Sequence, residues 1–182
     1  MQRIIAIVGM PGAGKSETAQ LFSSHGYQIV RFGKVTDLEL QRRGLLVTEE
    51  NERKVREELR KRYGMAAYAR RSLPGIQSAL KEKGRVVIDG LYSWEEYDFL
   101  KSKFRQLLLV AVHASPAVRH RRLTGRSVRG LSSNVAAQRD YDELSKLNKA
   151  APIAMADWII DNSGSLSELK KQVSELVRRI EK

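Results

Sequence analysis

The chain has 182 residues, 33 of them Lys or Arg against 21 Asp or Glu, for a formal net charge of +12, and 42% are hydrophobic. At this length one folded domain buries roughly two-thirds of the surface its unfolded chain exposes, so a core can form without metals or disulfides. The absence of cysteine excludes disulfides, thiolate metal sites and thiol nucleophiles, and fits a reducing compartment.

Arg3 to Val8 reads RIIAIV, a short branched apolar run ending at Gly9, which predicts a strand buried on both faces. Ser16 to His25 carries helical spacing through Ala19, Leu21 and Phe22, with Gly26 placed to close the helix. Tyr27 to Phe32 reads as a second strand. From Lys34 to Ala79 the pattern is helical and strongly charged: two or three helices, with Thr48 as an N-cap, Glu49 and Glu50 in a first turn where the dipole favours anions, and Pro74 as a break. Arg85 to Asp89 and Arg105 to Val112 are further strands, separated by a helix around Trp94 to Leu100. Ser115 and Pro116 then open a basic helix that runs to Thr124. A Gly/Ser loop to Ser133, a polar helix to Leu147, a last strand at Trp158 to Asp161 and a final helix from Leu166 complete the chain. Strands alternating with helices predict an α/β fold, a three-layer parallel five-stranded sheet in one domain over residues 1–182.

The longest apolar runs, such as Leu107 to Val112, fall far short of the ~20 residues a membrane span needs. The N-terminal residues lack a signal-peptide layout, so a cytoplasmic protein with no membrane partner is expected. A sequence pI near 10.1 invites a nucleic-acid reading. Aromatic residues are only 7% of the chain and are not interleaved with arginines, which leaves nucleic acid as the less favoured partner.

Residues 9–16 read GMPGAGKS, the pattern GxxxxGK[ST], directly after a strand and before a helix as that motif requires. Its task is to hold anionic oxygens without side-chain bulk. Gly12 and Gly14 let backbone N–H groups turn inward, and the helix N-terminus adds its positive end. Lys15 reaches the terminal phosphates, and Ser16 offers an oxygen to Mg²⁺. The whole loop, Gly9, Met10, Pro11, Gly12, Ala13, Gly14, Lys15 and Ser16 with Glu17 behind it, is the expected ATP cradle. Asp89 ends the VVID strand, so its carboxylate emerges at the carboxyl edge of the sheet, near the loop if the two strands are neighbours, where it could hold a magnesium-bound water. Arg119, Arg121, Arg122, Arg126 and Arg129 fall within eleven residues. On a mobile segment spanning residues 119–133 they suggest a lid whose guanidinium groups close over a transferring phosphoryl group. Two of the five are expected to be solvated. Arg139, on the next helix, could point back at the same phosphates, and His113 reads as a structural histidine, not a base.

The phosphate loop, the VIDG element at 87–90 and the run Arg122, Leu123, Thr124, Gly125, Arg126 together resemble the nucleoside monophosphate kinase family. The chain looks most like the small kinase-like P-loop proteins of archaea, through VGMPGAGKSE, VVIDG, HASP and ADWIIDNSGS, and Ala156 to Ser165 also resembles the C-terminal part of dephospho-CoA kinase. The resemblance implies that Asp161 to Gly164, with Asn162 and Gly164, contacts the adenine of ATP, that Arg122 lies over the base, and that Arg126 touches the phosphates. The acceptor side departs from both families. Where adenylate kinases have GDxxR this chain has Gly33, Lys34, Val35, Thr36 and Asp37, Ser93 stands where they have an arginine, and the aspartate pair and HP element of dephospho-CoA kinases are missing. Lys34, Arg42, Arg70 and Arg71 are the candidates to supply replacement charge, with 34–79 as the acceptor-binding region.

The expected function is transfer of the γ-phosphoryl group of ATP, with Mg²⁺, to a nucleotide-type acceptor, foremost a nucleoside or deoxynucleoside monophosphate. Lys15, Arg122, Arg126, Arg139 and Asp89 carry the chemistry, and Ser16 and Asp89 hold the metal. Dephospho-CoA kinase is the alternative within this class. A nucleic-acid-stimulated or switch-type NTPase and a regulatory nucleotide-binding module are the alternatives outside it. A monomer and a homodimer are both compatible with the sequence.

Overall fold

The computed structural model describes residues 2–127 and 130–181. Five parallel strands form one sheet, β1 (Arg3–Val8), β2 (Gln28–Arg31), β3 (Arg85–Asp89), β4 (Leu108–His113) and β5 (Trp158–Asp161), in the order β2-β3-β1-β4-β5. The helices are α1 (Lys15–Ser24), α2 (Gly33–Arg42), α3 (Glu49–Tyr63), α4 (Ala67–Lys83), α5 (Trp94–Lys103), α6 (Pro116–Thr124), α7 (Ser133–Ser145), α8 (Ala150–Ala154) and α9 (Leu166–Ile180).

Alternation along the strands divides the core in two. Ile4, Ala6, Val8, Val86 and Ile88 pack with α2, α3 and α4 on one face, while Ile5, Ile7, Val87, Val110 and Ile160 pack with α1 and α9 on the other. This is the three-layer arrangement expected of a parallel sheet whose central strands are buried on both sides. The final helix shows how sequence and packing agree. Ser165 and Glu168 close a capping box, and Leu169, Val173, Leu176 and Val177 recur at helical spacing as the buried stripe. Thr48 caps α3 as expected, its hydroxyl accepting from the Asn51 backbone N–H.

Several boundaries differ from the sequence reading. Pro74 does not break the chain: α4 runs through it from Ala67 to Lys83, because Tyr68, Ser72, Ile76, Ala79 and Leu80 form one buried face whose packing outweighs the lost backbone donor. The charged stretch resolves into three helices, the last ending at Lys83. The fourth strand starts at Leu108, three residues later than expected, since Phe104 to Leu107 close a turn (Leu107 N–H to Phe104 carbonyl, 2.9 Å). The short helix α8 had no forewarning in the periodicity.

Candidate active site

The phosphate loop leaves the end of β1 and enters α1. Side chains from two distant elements shape it: the Arg119 guanidinium on α6 donates to the Pro11 carbonyl at 3.1 Å, and the Asn162 amide beyond β5 donates to the Ala13 carbonyl at 2.8 Å. A trans peptide places its N–H opposite its C=O. Drawing those two carbonyls outward therefore turns the N–H groups of Gly12 and Gly14 toward the loop interior. Neither glycine can be replaced without strain. Gly12 has φ +78° and a Cβ there would approach the Arg119 carbonyl oxygen to 2.6 Å; Gly14 has φ +98° and its Cβ would collide with the Asn162 amide.

The Lys15 ammonium donates to the carbonyls of Gly9 (2.9 Å) and Met10 (3.2 Å). Burial, reinforced by the positive charge of Lys149, lowers its pKa to about 7 against the partial opposition of Glu143 and Asp89. A phosphate arriving at the loop restores the charged form. Ser16 Oγ donates to Asp89 Oδ2 at 2.8 Å. The pairing of β1 with β3, Ile7 opposite Asp89, brings the carboxylate to the loop across neighbouring strands. A hydroxyl and a carboxylate on adjacent edges form the hard-oxygen set that Mg²⁺ accepts when phosphates complete its shell, so the residues present fit the ion.

A cavity of about 140 Å³ at the loop is lined by Lys15, Ser16, Asp89, Arg126, Arg139 and Glu143, among others. Arg126 and Arg139 thus face the phosphate side together. Arg139 is also bonded to Glu49 at 3.0 Å and approaches Glu143 at 3.5 Å. Arg122 is half-buried at the end of α6, with Nη1 enclosed and without a hydrogen-bond partner, and Arg121 is exposed. Arg119 corrects the lid reading. It is 5% exposed, bonded to both carboxylate oxygens of Asp140 (2.7 and 2.8 Å) and to the carbonyls of Ala114 and Pro11, so it fixes the loop and is not poised to close over it. Arg129 lies outside the described residues. The start and end of the arginine-rich segment are tied by Leu131 N–H to Leu123 carbonyl (3.1 Å) and by the small apolar cluster Leu123, Leu131 and Ala136.

Asp161 to Gly164 lies beside the loop, but the Asn162 side chain is committed to Ala13. Asp161 accepts from the Ser163 backbone and hydroxyl, which fold the turn before α9. Met10 and Glu17 flank the loop, and His113 is exposed at the end of β4 and lines neither this cavity nor its neighbour.

A larger cavity of about 320 Å³ adjoins the first, and Tyr92, Arg139 and Glu143 line both. Its walls come from α3, the turn after β3 and α7. The expected acceptor residues are not among its lining. Arg42 pairs with Glu39, Arg70 covers the Phe99 ring at 4.8 Å, Arg71 covers Tyr63 at 5.2 Å, and Lys34 is exposed on the first turn of α2. The reason is helical phase: these side chains emerge on the faces of α2 and α4 opposite the buried stripe. The cavity's cations come instead from α3, where Arg53, Arg56 and Arg60 are spaced to lie on one face, and from the opposite wall, where Arg139 and Lys146 line it. That pattern was present in the sequence and went unread among so many arginines. Ser93, in the position where adenylate kinases have an arginine, is fully buried; its hydroxyl caps α5 and donates to the Met65 carbonyl.

Beneath the junction of the two cavities lies a buried charge cluster without any motif. Lys149 is fully buried, ion-paired with Glu143 and set over the Tyr92 ring at 5.3 Å. Burial opposes ionisation of Glu143, but Lys149, Lys15 and Arg139 outweigh it and hold the carboxyl at about 2. Glu143 follows Arg139 by four residues on α7, the one sequence signal that could have found it.

The sheet order, the phosphate loop and the Ser16–Asp89 pair define a P-loop protein with an α/β kinase-like fold. The chain belongs to the UPF0200 family: a UPF0200 protein of Thermococcus onnurineus is 37% identical over 181 residues, covering 97% of each chain. A family model described as an AAA domain matches residues 5–139. Among solved structures the chain is similar to shikimate kinase from Bacteroides thetaiotaomicron (TM-score 0.65, 16% identity, all of both chains). It is also similar to dephospho-CoA kinase from Campylobacter jejuni (TM-score 0.61, 15% identity, 99% and 98% covered). At these identities the likeness is one of fold. No helix among the described residues is long and apolar enough to cross a membrane.

Proposed function

We propose that the protein is a Mg²⁺- and ATP-dependent phosphotransferase that moves the γ-phosphoryl group to a small acceptor held in the cavity between α3, Tyr92 and α7. The observation that carries this reading is that the two cavities adjoin and share Tyr92, Arg139 and Glu143: one holds Lys15, Ser16 and Asp89, the other is a cleft large enough for a small molecule. A pure nucleotide sensor or switch has no use for a second cleft sharing a wall with the phosphate loop. Catalysis by such a site is positioning and charge stabilisation. Lys15 and the 9–16 backbone orient the β- and γ-phosphates, and Arg139 and Arg126 face the transferring group. Ser16 and Asp89 are the residues to hold magnesium, which when bound neutralises charge developing between the β- and γ-oxygens. Arg122 is assigned to the nucleotide base and Arg126, past the end of α6, to a lid that excludes Arg119.

The acceptor class that the family resemblance favours is a nucleoside or deoxynucleoside monophosphate, with dephospho-CoA as the alternative. Both are decided by one experiment: ATP consumption with Mg²⁺ against a panel of ribo- and deoxynucleoside monophosphates, dephospho-CoA and hydroxy acids such as shikimate, with products resolved chromatographically and a tube lacking acceptor. Formation of ADP and phosphorylated acceptor together, in one tube, is the expected result. Equal slow ADP release in every tube would remove the kinase reading, and strong stimulation by RNA or DNA would replace it with a nucleic-acid-dependent ATPase.

A further inference from the structure

Arg60, in the last turns of α3, is 9% exposed and lines the larger cavity, yet among the described residues it makes no hydrogen bond and no ion pair. Its Nε and Nη2 are buried without partners, and the guanidinium is packed against the edge-to-face pair of Tyr68 (5.1 Å from the ring centre) and Tyr92 (5.6 Å). Its neighbours differ: Arg56 is bonded to Glu49 and approaches Glu52, and Arg139 is bonded to Glu49. Glu96, a buried carboxylate that interacts electrostatically with Arg60, is turned to the Tyr92 backbone N–H (2.7 Å) and leaves Oε1 unpartnered as well. A buried guanidinium hydrogen-bonded to no anion is costly, since its hydration is lost and the electrostatic pull of Glu96 replaces only part of it. Aromatic walls recover part of that cost and hold the fork in one plane, the geometry that receives a carboxylate or phosphate bidentately.

The other end of the same cavity has the opposite charge. Glu143 Oε2 is held by Lys149, while Oε1 remains on the side of Arg139, at the junction with the phosphate loop. Arg60 and Lys149 both contact the Tyr92 ring, at 5.6 and 5.3 Å from its centre. The two ends of the site are therefore separated by little more than one aromatic ring. A phosphate acting as nucleophile would have to approach past the Glu143 carboxylate. A hydroxyl would donate a hydrogen bond to it.

We propose that the acceptor is a small molecule carrying both an oxyanion, carboxylate or phosphate, seated on Arg60, and a free hydroxyl directed at Glu143. This rests on the kinase reading above and, of the two acceptor types named there, selects hydroxyl acceptors over the phosphate of a nucleoside monophosphate. In the step, the acceptor oxygen forms a bond to the γ-phosphorus and the bond from that phosphorus to the β,γ-bridging oxygen breaks. The electron pair leaves with ADP, and the hydroxyl proton passes to Glu143 Oε1 and from there to water. The carboxylate is a weak base, which suits a proton that departs late, after the P–O bond has begun to form.

The test has two arms. In the first, the full chain saturated with Mg²⁺ and a non-hydrolysable ATP analogue, so that the γ-phosphate position is filled, is titrated with inorganic phosphate and separately with acetate, in wild type, Arg60→Met and Arg60→Lys. Anion binding weakened at least about tenfold in Arg60→Met, and partly retained in Arg60→Lys, is expected, with thermal melting to verify that both variants fold. Equal binding in wild type and Arg60→Met, or none in either, overturns the anion seat. In the second, hydroxy acids and hydroxyl-bearing phosphomonoesters are compared with nucleoside monophosphates as acceptors, in wild type and Glu143→Gln. The expected result is turnover of a hydroxyl acceptor, with kcat reduced by about 10²-fold or more in Glu143→Gln while affinity for the ATP analogue is kept. Nucleoside diphosphate formation insensitive to Glu143→Gln overturns the hydroxyl assignment and leaves the kinase reading standing. Absence of turnover with every acceptor overturns both, whatever the first arm shows for Arg60.

Discussion

The phosphate-loop side and the acceptor side of this molecule are built by different means. On the first, functional residues are consecutive in sequence and end on adjacent strands: 9–16 follow β1, and Asp89 ends its neighbour β3, with Ser16 and Asp89 meeting at 2.8 Å. On the second, the residues that line one cavity come from positions 49–65, 92 and 135–147, brought together only by helix packing. A backbone-built site tolerates little variation in its glycines and lysine, because the main chain is the ligand. A side-chain-built site can be re-specified by changing which turn of a helix carries the charge. The first side therefore announces a nucleotide and the second conceals its acceptor.

That contrast can be broken by mutation. Lys15→Ala should lower phosphoryl transfer by about 10²–10³-fold or more while leaving the melting temperature near wild type, since the ammonium contacts only loop carbonyls. Retained turnover in a steady-state assay would remove the phosphate-loop side from the account. Next in size is Arg119→Ala, which separates a buried pair and frees the Pro11 carbonyl. Unfolding by denaturant should show a loss of about 3 kcal/mol, together with weaker ATP binding because the loop loses a tie. Asp89→Asn is expected to cost about 10–100-fold in activity and to shift the Mg²⁺ dependence to higher concentration. An unchanged Mg²⁺ titration would remove Asp89 from the metal site.

On the acceptor side the effects should be smaller and pH-linked. Burial raises the Glu96 carboxyl from 4.5 to about 7, against the pull of Arg60. Folded protein then binds more protons than unfolded between those values, so this group's contribution to stability falls as pH rises from 4.5 to 7. Glu96→Gln should remove that slope and stabilise the protein above neutrality by about 1–3 kcal/mol, read from denaturant midpoints at pH 5 and 8. The smallest effect belongs to Arg42→Ala. Its partner is Glu39 on the outer face of α2, so acceptor KM should stay within about twofold. A tenfold rise would return Arg42 to the site and redraw the cavity as the acceptor region.

Much of the fold was legible because strands and amphipathic helices write their burial into a period. RIIAIV and RVVID are apolar without alternation, as parallel strands covered on both faces must be, and the α9 stripe repeats at helical spacing. Pro74 misled for the converse reason: the local rule is real, but the buried face of α4 outweighs one missing hydrogen bond. The arginines were the hardest residues to read. Arg119, Arg42 and Arg60 are alike in sequence, yet one ties the phosphate loop, one covers an exposed helix face, and one is buried against a pair of tyrosine rings.

The sequence by itself determined the α/β class and the phosphate loop, because those depend on chain-local geometry: a strand, a glycine-rich turn and a helix N-terminus; it offered Asp89 as a carboxylate at a strand end, and the pairing of β1 with β3 brought it to Ser16. Only the tertiary structure decided which cations line the larger cavity and that Tyr92 and Glu143, backed by Lys149, stand where the two cavities adjoin. A charged side chain carries no periodic record of its partner. Whether it is solvated, paired or left waiting for a ligand depends on the phase of its helix and on what distant segments pack against it.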